Sequence, residues 1–164
     1  MLKKILIALV FVFIFLQFVR PGKNISEGPY PNHISTKYAV PQNVETILKK
    51  ACYDCHSNNT IYPWYTNVQP VGLWMQSHVN DGKGELNFSE FATYSPKKAR
   101  HKMDECIDMV KEGEMPLPSY TWIHTDAKLT QEEKVALTDW ASALAAQITK
   151  ENNLPPSEPK KPKP

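Results

Sequence analysis

Residues 51–56 read Ala51-Cys52-Tyr53-Asp54-Cys55-His56. Two cysteines three positions apart, followed at once by histidine, form a C-x-x-C-H run, the attachment signature of a c-type haem. Each thiol can add to one vinyl group on an edge of the porphyrin. The histidine next in line then lies under the ring and offers an imidazole nitrogen to the iron. Cys52 and Cys55 are therefore the candidate thioether attachments of one covalent haem, and His56 is the candidate proximal iron ligand. Other uses of the pair fit less well. A tetrahedral zinc site needs four ligands, and Cys106 is the one other thiol in the chain. A thioredoxin-like pair needs a βαβ context, whereas the flanks here read as helix and loop. A Cys52–Cys55 disulfide would close a tiny loop and stabilise little.

Working outward, Val44, Ile47, Leu48 and Ala51 repeat at helical spacing and give a helix with one apolar face, and Pro41 suits its first turn. That helix runs directly into Cys52. Downstream, Tyr62, Trp64 and Tyr65 are large amphipathic rings among Asn, Thr and Pro. They suit a haem wall or an ordinary core with bonded tips. A proline carbonyl, from Pro63 or Pro70, is a candidate acceptor for the ring N–H of His56. Residues 71–79 read as a short helix carrying Met75 and His78. Asn80-Asp81-Gly82-Lys83-Gly84-Glu85 reads as a turn-rich break and lacks the glycine position of a calcium loop.

Pro96 to Gly113 is the clearest second helix, with Ser95 as cap, Pro96 in the first turn and Gly113 as stop. Ala99, Met103, Cys106, Ile107 and Val110 mark its buried face. Cys106 there reads as a small buried hydrophobe. Gly113-Glu114-Met115-Pro116 then offers a methionine in a proline-stiffened loop, and Met115 is the leading candidate for the sixth iron ligand. His124 is its strongest rival, ahead of His78, His101 and Met75; His33 reads as solvated. The last helix spans Leu129 to Ile148. Thr130 and Glu133 form its capping box, and Leu137, Trp140, Ala141, Leu144 and Ile148 form its apolar stripe. Trp140 is expected to pack across the helix that precedes Cys52.

The chain has 164 residues and a formal charge of +2, but the charges are unevenly spread. Residues 24–150 carry 12 basic and 15 acidic side chains. Nucleic-acid binding, which rests on concentrated positive charge, is not expected. A redox partner would instead present a basic or neutral docking face. Residues 1–22 open with Lys3 and Lys4 and continue in an apolar run, with no small-x-small pair before a cleavage point. They read as an N-terminal membrane segment, a signal-anchor rather than a removed signal peptide. Residues 23–39, rich in Pro and Gly, read as a tether. Residues 40–149 form the haem domain, and residues 150–164, rich in Pro and Lys, read as a disordered tail.

Residues 40–148 resemble a small bacterial haem-binding domain family related to class I cytochromes c. The resemblance is carried by Cys52-Tyr53-Asp54-Cys55-His56-Ser57-Asn58, Pro63-Trp64-Tyr65, His78-Val79, Asn87-Phe88-Ser89, Gly113-Glu114-Met115-Pro116, and Tyr120 through His124 to Ala127 and Leu129. It implies an all-α, class I cytochrome c-like helical domain around a covalent haem. Together with the N-terminal reading, the expectation is one haem c on a membrane-anchored domain in the periplasm of a bacterial cell envelope. The leading function is an electron carrier with His/Met axial ligation. The alternatives are a haem enzyme or gas sensor with an open sixth position, and a haem-free partner-binding module.

Overall fold

Among the described residues seven α-helices follow one another: α1 (Leu2–Leu16), α2 (Gln42–Ala51), α3 (Tyr53–His56), α4 (Val71–Glu85), α5 (Pro96–Glu112), α6 (Pro118–Thr121) and α7 (Gln131–Glu151). Short 3-10 turns lie between them, and the described residues contain no strand, as an all-α reading requires. The computed structural model describes residues 1–156. The chain forms two compact units. One comprises residues 1–29 and 54–87, and the other residues 30–53 and 88 onward.

The first unit holds α1 and α4. The N-terminal segment departs from expectation: no helix among the described residues is long and apolar enough to cross a membrane. α1 has 15 residues, which at ~1.5 Å each span roughly 22 Å, short of a hydrocarbon core of ~30 Å. Gln17 is the C-cap residue of α1, and its side chain is taken up by bonds to its own unit. Its amide donates to the Gln69 carbonyl at 3.1 Å and accepts from the Gln69 N–H at 3.0 Å. The buried Gln69 amide in turn donates to the Val19 carbonyl at 3.0 Å. The expected membrane segment at residues 1–22 is thus corrected to a short helix whose end is tied by paired glutamines.

α4 is longer than its sequence suggests. It runs on through Asn80-Asp81-Gly82-Lys83-Gly84-Glu85, which reads as a break. Its first turns pack on the 3-10 turn Trp64–Asn67. Gly72 permits that approach, since a Cβ there would lie 2.1 Å from the Thr66 carbonyl oxygen.

The second unit is built on α5 and α7, its most extensive helix pair, with α2 also packed on α7. Val44, Ile47 and Leu48 of α2, Met103 and Val110 of α5, and Leu137, Ala141, Leu144 and Ile148 of α7 are buried, as their spacing predicts. Each such Val, Leu, Ile or Met side chain contributes about 1.5–3 kcal/mol relative to exposure. The caps follow the sequence closely. Ser95 Oγ accepts from the Lys98 N–H, Gly113 ends α5 in the left-handed region at φ 75°, and Thr130 with Glu133 closes a complete capping box. Trp140 donates its indole N–H to the Ala39 carbonyl at 3.1 Å, just before α2 begins. Lys50 of α2 pairs with Glu133 of α7 at 2.6 Å.

Residues 23–39 carry more structure than their Pro and Gly content suggests. Ile34 and Tyr38 are buried in the second unit, and the Ile34 N–H donates to the Phe88 carbonyl at 2.9 Å. At the other end of the chain α7 continues to Glu151. Residues 157–164, most of the tail expected to be disordered, lie outside the described residues.

Candidate functional site

α2 ends on Cys52, whose backbone N–H still reaches the Leu48 carbonyl at 2.9 Å. One further turn, α3, then carries Tyr53 to His56. No disulfide joins Cys52, Cys55 or Cys106. All three are half-buried. Burial, helped by the neighbouring Asp54 carboxylate, pushes the Cys55 thiol up to about 11. The thiol therefore stays protonated at neutral pH. Among the described residues, no group of three or more His, Cys, Asp or Glu could hold a metal ion. The zinc alternative has no donor set gathered for it.

The imidazole of His56 is held by a hydrogen bond within the first unit. Its Nδ1 lies 2.9 Å from the Leu86 carbonyl oxygen. A carbonyl only accepts, so the proton sits on Nδ1 and the ring presents Nε2 as its ligating nitrogen. This arrangement fits a haem-iron histidine, whose second nitrogen is commonly fixed by a backbone carbonyl. The acceptor differs from the expected prolines. The Pro63 carbonyl is engaged by the Thr66 N–H and hydroxyl, and the Pro70 carbonyl by the Trp74 N–H. Leu86 takes their place because α4 runs six residues past its expected end.

Gly82 lies on the same side of this turn. A Cβ there would meet Cys55 Cβ at 3.0 Å, the Cys55 carbonyl oxygen at 3.1 Å and His56 Cε1 at 3.4 Å. The bare backbone of α4 therefore sits against Cys55 and His56, and the close approach needs glycine at this position. Sequence reasoning missed both Gly82 and Leu86. A glycine inside a polar stretch signals a turn as readily as a close approach, and a backbone carbonyl leaves no mark in the sequence.

The loop after His56 is knitted from polar groups. Thr60 Oγ1 donates to the Asp54 carbonyl at 2.6 Å, and the Ile61 N–H donates to Asp54 Oδ1 at 3.1 Å. Asn87 Nδ2 donates to Asn58 Oδ1 at 2.8 Å. Of the three aromatic candidates, Tyr62 donates its hydroxyl to Gln76 Oε1 at 2.7 Å. Trp64 is 78 % exposed, with the Tyr65 ring edge-on to it at 6.0 Å.

The sixth-ligand candidates Met115 and His124 belong to the second unit. Met115 is half-buried in the loop after α5, where its N–H bonds to the Met109 carbonyl at 3.1 Å and its peptide to Pro116 is cis. His124 stacks on Tyr120 at 4.1 Å and 19°, with Nδ1 3.2 Å from the Tyr120 carbonyl oxygen. Of the weaker candidates, His78 bonds through Nδ1 to the Trp74 carbonyl at 3.0 Å, and His101 lies 3.2 Å from Glu105 on an exposed face of α5. Met75 is half-buried on α4, and His33 is half-buried with its ring edge-on to Tyr53 at 5.7 Å.

No curated protein and no solved structure matches the chain. A family model described as a haem-binding domain matches residues 11–143, most of its length. That span contains the C-x-x-C-H turn, α4 with Gly82, and the Met115 and His124 loops. The chain therefore belongs to the haem-binding domain family.

Proposed function

We propose that this haem-binding protein carries a c-type haem, attached through Cys52 and Cys55, and acts as an electron carrier of the bacterial cell envelope. His56 is the proximal ligand. Met115 is the distal ligand in the leading reading. The observation that carries the proposal is the His56 ring, bonded through Nδ1 to the Leu86 carbonyl beside two cysteines at attachment spacing. When bound, haem supplies a one-electron iron couple, and a closed pair of axial ligands suits electron transfer rather than bond chemistry. The chain's own residues orient the ligands. The Leu86 carbonyl keeps the proton on His56 Nδ1, and Pro116 stiffens the Met115 loop. Covalent attachment by C-x-x-C-H supports an exported location, and the acidic balance of residues 24–150 supports a redox partner with a basic or neutral face.

His124 supports a second choice of distal ligand. Its Nδ1 contact to the Tyr120 carbonyl is the arrangement a ligating imidazole also uses. The test is the full chain expressed with a cytochrome maturation system. Mass spectrometry is expected to find one haem on the peptide containing Cys52 and Cys55, and the reduced protein is expected to resist carbon monoxide. Met115→Ala should lose the low-spin spectrum, and His124→Ala should keep it. The reverse outcome assigns His124. Ready binding of carbon monoxide to the unaltered protein would establish an open sixth position and overturn the carrier reading.

A further inference from the structure

Asn24 lies in a stretch that reads as a tether, yet all four of its polar groups are engaged. Its backbone N–H donates to Tyr62 Oη at 2.7 Å, and its carbonyl accepts the Thr60 N–H at 2.9 Å. Its side-chain Nδ2 donates to the Ser57 carbonyl and to Thr60 Oγ1, each at 2.9 Å. Its Oδ1 accepts from Lys83 Nζ at 2.7 Å.

These partners surround the iron-binding turn. Ser57 directly follows His56. Thr60 donates its own hydroxyl hydrogen bond to the Asp54 carbonyl, just before Cys55. One side-chain amide thus ties both flanks of Cys55-His56. Lys83 stands on α4 three residues before Leu86, whose carbonyl accepts the His56 Nδ1–H. The same amide therefore joins the backbone of the turn to the helix that delivers the acceptor of its ring. Ser57 and Thr60 are buried, so water competes little for these bonds.

We propose that Asn24 is a positioning residue for the haem iron: by clasping residues 54–60 to α4, it sets the strength of the His56 Nδ1–H bond to Leu86. The proposal rests on the reading of His56 as proximal ligand. A strong bond from Nδ1 makes the imidazole a better electron donor, which favours oxidised iron and lowers the reduction potential. Losing the clasp weakens the bond and raises the potential.

The test uses the matured full-length holoprotein and its reduction potential by optical titration. Asn24→Ala is expected to shift the potential upward. Thr60→Val, which changes no charge and removes the hydroxyl that links Asn24 Nδ2 to the Asp54 carbonyl, should shift it in the same direction by less. Asn32→Ala, which loses a 3.0 Å bond to Glu90 in the other unit, should leave it unchanged. If Asn24→Ala yields no holoprotein, Thr60→Val decides the matter. Potentials equal to the unaltered protein's in the clasp variants, or an equal shift in Asn32→Ala, would overturn the clasp and leave the haem reading standing. An unaltered protein that carries no thioether-linked haem would overturn both.

Discussion

A methyl group at Gly82 would press on Cys55 Cβ from 3.0 Å and on its carbonyl oxygen from 3.1 Å. Both atoms belong to the turn itself, so neither can swing aside as the tip of a long side chain could. Gly82→Ala is expected to cost about 1–3 kcal/mol and to lower the yield of haem-loaded protein, read by thermal melting and by haem absorbance per chain. His33 gives a second prediction at this scale. Burial pulls it below its ordinary 6.5, Glu45 opposes that pull, and Lys49 adds to it. The unfolded chain therefore takes up this proton at higher pH than the folded one. Stability from this source is complete above pH 6.5 and falls as pH drops through the depressed folded value. His33→Gln should flatten that part of the stability curve, measured as the urea midpoint on acidification from about pH 7 to about pH 5. The candidate attachment residues were legible in the sequence because covalent chemistry fixes their spacing. Leu86, Gly82 and Asn24 were not, because a carbonyl, a missing side chain and a long-range amide bond have no local pattern.

Among the elements, α5 and α7 were the most legible. Ser95, Gly113 and the Thr130–Glu133 box mark their ends, and unbroken apolar periods mark their buried faces. Thr130→Ala should cost about 1 kcal/mol and shift the urea midpoint without changing the slope of the transition. Where local signals pointed the other way, the chain followed packing. α4 continues through two glycines and an Asn-Asp pair because its last turns carry Gly82 against Cys55 and Lys83 to Asn24. α1 shows the limit of composition. After Lys3 and Lys4 its residues are apolar, which suggested a bilayer segment, but the helix stops at Leu16 and the next residue bonds to Gln69.

Across the whole molecule, neither unit is a continuous piece of sequence. The chain passes between them after residues 29, 53 and 87. The passage at residue 53 lies within the C-x-x-C-H run, which a linear reading treats as one local motif. The division was invisible in the sequence, where no linker-like composition marks residues 53 or 87. It does impose a timetable on a chain that emerges from its N-terminus. Every residue of the first unit has been made once residue 87 is added, whereas residues 30–53 wait for α5 and α7 before their apolar face has anything to cover it. Nascent chains arrested shortly after residue 87, once clear of the ribosome, should therefore resist protease around α4 and be cut within residues 30–53. Full-length chains should resist at both, so a brief proteolysis of arrested and released chains reads out the order of assembly.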